Sequence, residues 1–149
     1  MVFSAGGDAS TLQASGHVIQ NTTVRHYGRL CYGFTPAVEI AGVGTRVANN
    51  EFSHGNGQAV MWSGNDHVLE SNVIHDSCLE TFDCGAVYES QRNWADRGTV
   101  LRRNLIFNVG RTTSVCNAHT SNGRHALYMD ALSMVWKHIF FLRHFIASY

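Results

Sequence analysis

Four stretches of this chain align without gaps, and that repetition constrains its fold more than any other feature. They are Val18-Ile19-Gln20-Asn21-Thr22-Thr23-Val24-Arg25-His26, Arg46 to His54, Val68 to Asp76 and Val100 to Asn108. The second column reads Ile19, Val47, Leu69, Leu101, and the seventh reads Val24, Phe52, Ile74, Ile106, apolar throughout. Between them the fifth column reads Thr22, Asn50, Asn72, Asn104. A second motif follows each copy: Ala37-Val38-Glu39-Ile40, Ala59-Val60-Met61-Trp62, Ala86-Val87-Tyr88-Glu89 and Ala126-Leu127-Tyr128-Met129. Each repeat therefore holds three short strands, and a three-strand coil takes about 20–25 residues. Alternation points one residue of each strand inward and the next outward. Like columns then stack into a continuous interior. Asparagine is expected to take the left-handed bend between strands and to bond the same amide one coil away.

These patterns predict an all-β fold, a right-handed parallel β-helix of about four coils over residues 6–131. The chain has 149 residues, enough for one domain, and its 44% hydrophobic content supports a core. Eleven basic and eleven acidic residues cancel, so nothing argues for a nucleic-acid or anionic-membrane partner. Fourteen glycines against one proline suit tight bends between short strands. The four cysteines show no zinc spacing; a Cys78–Cys84 disulfide is conceivable, but buried free thiols are the expectation. The opening residues have neither the basic start nor the apolar run of a signal peptide, and read like the interior of a longer protein. Residues 132–149 carry no repeat. They are too short and too charged for a membrane span, and read either as a helix capping the stack or as unrelated sequence.

The stretches HVLESNVIHD and FDCGAVYESQRNWADRGTVLRRN resemble the right-handed parallel β-helix proteins of the pectate-lyase-like superfamily, closest to the glycoside hydrolase family 141-like group. The resemblance covers about Gly6 to Asp130. It implies an extracellular protein that binds or cleaves polysaccharide or oligosaccharide along a groove on the side of the helix. In such relatives an aspartate precedes the third strand, here Asp83, and the following coil ends its strand on an aspartate or a pair, here Asp130. Ala131 stands where the second member of that pair belongs.

The columns themselves suggest where chemistry can sit. With Val38, Val60, Val87 and Leu127 inward, Glu39, Met61, Tyr88 and Tyr128 form one outward row, and Ala41, Ser63, Ser90 and Asp130 a second. Sugar rings stack on aromatic faces while carboxylates bond their hydroxyls. The bland reading is that tyrosine is simply a good strand residue. Glycoside hydrolysis needs two carboxyls about 5–5.5 Å apart with retention or 6.5–9.5 Å with inversion. Asp83 and Asp130 are the first pair, with Glu80 and Glu89 as substitutes. Fully extended strands would hold Asp83 and Asp130 too far apart, so the acidic loop must fold back over the strand.

Glu39, Glu80, Tyr88, Glu89, His125 and Tyr128 are the expected substrate-binding residues. A lyase would use Arg92, Arg97 or Arg124, with Glu80, Asp83 and Glu89 offering oxygens to Ca²⁺, although no recognised loop spacing supports it. No cofactor and no resident metal are expected. His26 and His54 share a column with Asp76 and Asn108, which fits a hydrogen-bonded turn better than a metal ladder. Trp62, in the column of Ile40 and Met129, belongs to the core. Open coil ends leave self-association or a non-catalytic scaffold as the alternative outcome.

Overall fold

The computed structural model describes residues 1–31, 33–90, 93–110 and 123–129. All thirteen strands among the described residues pair in parallel, in three sheets. The first sheet holds β1 (Val2–Gly6), β4 (Val38–Gly42), β7 (Val60–Trp62), β10 (Cys84–Glu89) and β13 (Arg124–Met129). The second holds β2 (Val18–Gln20), β5 (Arg46–Ala48), β8 (Val68–Glu70) and β11 (Val100–Arg102). The third holds β3 (Thr23–Arg25), β6 (Glu51–Ser53), β9 (Val73–Ser77) and β12 (Leu105–Val109). The chain visits the sheets in turn, so each circuit lays one strand onto each sheet. This is the right-handed parallel β-helix the repeats predict. The first sheet begins at Val2, four residues ahead of the Gly6 boundary that the repeats alone suggest.

Strand register reproduces the aligned columns. Ile19, Val47, Leu69 and Leu101 are successive partners across the second sheet, and Val24, Phe52, Ile74 and Ile106 across the third. Val38, Val60 and Val87 close the interior from the first sheet together with Ile40 and Trp62, the tryptophan only 1% exposed. Parallel pairing buries these columns because each apolar side chain lies one strand spacing, about 4.8 Å, from its equivalent in the next coil.

The corner between the second and third sheets is held by side-chain amides. The backbone N–H and Nδ2 of Asn50 both donate to Asn72 Oδ1 at 3.0 Å. The same groups of Asn72 donate to Asn104 Oδ1 at 3.0 and 2.9 Å. Each amide also reaches a strand carbonyl of the coil before it, Asn50 to Ile19, Asn72 to Val47 and Asn104 to Leu69. Thr22 ends the ladder: its N–H donates to Asn50 Oδ1, and its hydroxyl turns back to Gln20 O. The left-handed bend falls one residue earlier than the sequence pattern suggests, at Asn21, Asn49, Ser71 and Arg103, with φ of 54–56°. The separation has a physical reason. The residue that bends points its side chain at solvent, which frees the next one to turn inward and bond along the axis.

A second left-handed column, with φ of 50–56°, falls at His26 and His54 just past β3 and β6 and at Asp76 and Asn108 within β9 and β12. The turn reading of this column is met at the two histidines. At the third corner Gly42 and Gly64 have φ of 90° and 97°, and a Cβ on either would lie 2.1 Å from a carbonyl oxygen of the coil before. Only glycine fits there.

Outside the second sheet, Glu70 is gripped by three arginines: Arg46 at 2.7 Å, Arg102 at 2.8 Å and Arg103 at 2.9 Å. The Arg46 hydrogen bond, followed by those of Arg102 and Arg103, pulls its carboxyl down to about 2, against a smaller desolvation effect. The aligned columns held the signal for this cluster, since Glu70 faces Arg102 in register.

Two outcomes follow for stability. Asn72→Ala strands the buried donors of Asn50 and is expected to cost about 2–4 kcal/mol, lowering Tm by roughly 5–15 °C. Asn49→Gly, at the neighbouring left-handed position, changes stability by less than about 0.5 kcal/mol. Calorimetry of the two variants separates the ladder from the bend. Because the Glu70 carboxyl is depressed in the folded state, its contribution is complete above about 4.5, the ordinary value, and drains away as pH falls towards about 2. The arginines are half exposed, so the loss is about 1–3 kcal/mol. Urea titrations between pH 5 and pH 2 should show a shallower acid decline in Glu70→Gln than in the wild type.

Candidate functional site

The outward row of the first sheet forms in the predicted register. Phe3, Glu39, Met61, Tyr88 and Tyr128 are successive partners. Tyr88 and Tyr128 meet edge to face with centroids 5.2 Å apart, and the His125 ring lies 5.1 Å from Tyr128. The row is not an open shelf. Phe34, from the loop between β3 and β4, packs edge-on to Tyr88 at 6.0 Å, leaving Tyr88 only 6% exposed. Met61 is buried as well. Beside Asp83, Tyr128 and His125 therefore carry the accessible part of the face, with Phe34 as its rim, while Phe3 at the far end of the row is also exposed. The composition of that loop, rich in turn residues, hid the contribution of Phe34.

The acidic loop does fold back over the strand. Cys78 and Cys84 are joined by a disulfide across six residues, which corrects the expectation of buried free thiols. Cys31 departs from it too, being a free but exposed thiol. The bridge closes the loop between β9 and β10 so that its far limb runs beside the last strand of the sheet. Within it Asp83 takes a left-handed conformation, φ 53°, and its Oδ1 accepts a hydrogen bond from the Tyr128 hydroxyl at 2.8 Å. Aspartate tolerates that backbone region better than most residues. Beside it Arg124 lies over the Phe82 ring, 4.5 Å from the centroid, and its Nε donates to Thr81 O at 3.2 Å. The exposed Asp83 carboxylate is thus positioned by a tyrosine of the outward row, two residues before Asp130. Asp130 lies outside the described residues, and so does the separation of the two carboxylates.

The other site residues scatter. Glu39 keeps its place in the outward row, half-buried between Phe3 and Met61. Glu89 does not share the face. It is in register with Trp62 and Met129 and 2% exposed, so it sits in the inward column. Alternation carries that information, because the residue after outward Tyr88 must turn in. Glu80 is exposed on the opposite limb of the disulfide loop, where it lines a cleft of about 410 Å³ with His26, Arg29, His54, Asn56 and Leu79. That cleft is firmly walled: Leu79 N–H donates to Gly55 O, Glu80 N–H to Asn56 O, and the Thr81 hydroxyl to Asn56 O.

The Ca²⁺ set considered for a lyase is consequently dispersed, with Glu80 in the cleft, Asp83 on Tyr128 and Glu89 inside. Among the described residues no three His, Cys, Asp or Glu side chains converge as a metal site. Of the lyase arginines, Arg97 lies at the turn before β11, where its N–H donates to Asn65 Oδ1 in the turn before β8, and Arg92 falls outside the described residues. His67 is the one fully buried imidazole of the described core; its Nδ1 accepts from Thr45 N–H, its Nε2 donates to Ser63 O, and burial holds its pKa below the ordinary value.

Three sheets of parallel strands wound in one stack define the class, a parallel β-helix. Comparison with protein-family models, curated proteins and solved structures finds no match to this chain. No helix among the described residues is long and apolar enough to cross a membrane.

The loop that carries Asp83 depends on its bridge. Replacing both Cys78 and Cys84 by alanine should cost about 2 kcal/mol by the loop-entropy relation for so short a ring. Urea unfolding of the double variant, compared with wild type under oxidising conditions, measures it.

Proposed function

We propose that this chain is a carbohydrate-active β-helix protein, glycoside hydrolase-like, that engages an oligosaccharide or polysaccharide along the outer side of its first sheet. The observation that carries this reading is the Asp83 carboxylate, exposed and held by Tyr128 beside the ring of His125. A carboxylate beside ring faces is the combination that hydroxyl-rich rings require: apolar C–H faces pack on the aromatics, and hydroxyls bond the acid. In the catalytic form of this reading, Asp83 and Asp130 are the acid–base pair, as the resemblance to the pectate-lyase-like and family 141-like proteins implies. Tyr128 fixes the orientation of the Asp83 carboxylate by donating to its Oδ1. His125, whose ring lies beside that of Tyr128, is the proton carrier of this reading. Such a protein works outside the cell, where polysaccharide is found, and the Cys78–Cys84 bridge accords with an oxidising compartment.

The burial of Tyr88 beneath Phe34 favours a second form of the same reading, in which the face binds glycan without cleaving it. A sugar is then held at Tyr128 and His125 only, rather than threaded along the whole row.

Screening fucosylated and xylan-type oligosaccharides for turnover, with binding followed by calorimetry, decides between these forms. Asp83→Asn should abolish turnover while leaving the fold intact. Tyr128→Phe should weaken binding about 5–10-fold, the equivalent of one ordinary hydrogen bond of about 1–1.4 kcal/mol. Turnover that is equal in wild type, Asp83→Asn and Asp130→Asn removes the catalytic form. Binding that is indifferent to both Asp83 and Tyr128 removes the site altogether.

A further inference from the structure

The tight turn that joins β2 to β3 reads Asn21-Thr22-Thr23, the acceptor pattern for N-linked glycosylation with a non-proline middle residue. Asn21 is exposed at the apex of that turn, with φ 54°, and its N–H is bonded to Ala48 O at 3.3 Å. Its side chain points away from the stack, in contrast to Asn50, Asn72 and Asn104, whose amides are committed to the axial ladder. Thr23, which supplies the hydroxyl of the pattern, is also exposed. The equivalent left-handed positions in the later coils are Asn49, Ser71 and Arg103, and none lies in such a pattern. Among the left-handed turns of this corner in the described residues, only this one carries the acceptor. The Cys78–Cys84 disulfide is an independent observation that points to the oxidising secretory route in which the modification takes place.

The geometry points to Asn21 as an N-glycosylation site on the exposed turn between β2 and β3. The transfer joins Asn21 Nδ2 to the anomeric carbon of a lipid-linked oligosaccharide diphosphate. The bond from that carbon to the diphosphate oxygen breaks, the polyprenyl diphosphate leaves with the electron pair, and the amide proton passes to a base. Attached at the apex of the turn, the glycan stands three residues from Val18 and hydrates the rim of β2 and β3. This inference is independent of the glycan-binding reading of the first-sheet face.

The test is secretion of the full chain from insect or mammalian cells, followed by intact-mass measurement. Wild type should carry one oligosaccharide. Peptide-N-glycosidase in heavy-oxygen water should remove it and leave labelled aspartate at residue 21. Asn21→Gln and Thr23→Val should lack the added mass, and Thr23→Ser should retain it, which separates loss of the acceptor from loss of the strand. A wild-type chain secreted without added mass, or with the label at another asparagine, overturns the assignment.

Discussion

The structure depends on one requirement, that each coil lie directly over the last so that every strand edge inside the stack is paired. Apolar columns make such stacking favourable but do not choose its register, because valine over isoleucine packs about as well as isoleucine over valine. The ladder of Asn50, Asn72 and Asn104 makes that choice. A side-chain amide has one donor face and one acceptor, and it bonds its neighbour in only one axial position. Slippage by a residue would leave buried amides unmet, which costs far more than the bonds contribute net. The ladder also explains why the bends sit at the exposed residue before each asparagine. One position turns the chain and the next locks it.

A stack so ordered makes a regular wall on each side, and regularity alone offers little chemistry. What distinguishes the first sheet is the loop between β9 and β10, closed by Cys78 and Cys84 and brought back over the strand that follows. It delivers Asp83 to Tyr128 and Glu80 to a separate cleft, so two acids three residues apart face different surfaces. The loop between β3 and β4 does the reverse, covering Tyr88 with Phe34. The middle of the row is therefore closed, and the accessible face beside Asp83 is confined to Tyr128 and His125. On the second sheet the Glu70 cluster performs a different task, binding arginines of adjacent coils to a single carboxylate and tying those coils together from outside.

Much of this arrangement was legible in the chain. Three strands per repeat, the inward place of Trp62, the pairing of Tyr88 with Tyr128 and the turn role of His26 and His54 all follow from columns. A column is a one-dimensional pattern that the solenoid copies directly into space. Glu89 was legible too, since alternation places it in the column of Ile40 and Trp62, beside the outward tyrosine rather than with it. The Cys78–Cys84 bridge and the position of Asp83 were not. Neither has an equivalent in the other coils, so no column reports on them.

The sequence by itself determined the winding, the register and the composition of the core, because each of these is a repeated local choice summed along one axis. Only the tertiary structure decided which acid reaches the aromatic row and which tyrosine is covered. Those depend on loops of unequal length meeting across different coils. Such a meeting is set by a single bridge, a left-handed residue or a rim side chain, and has no period from which it can be read.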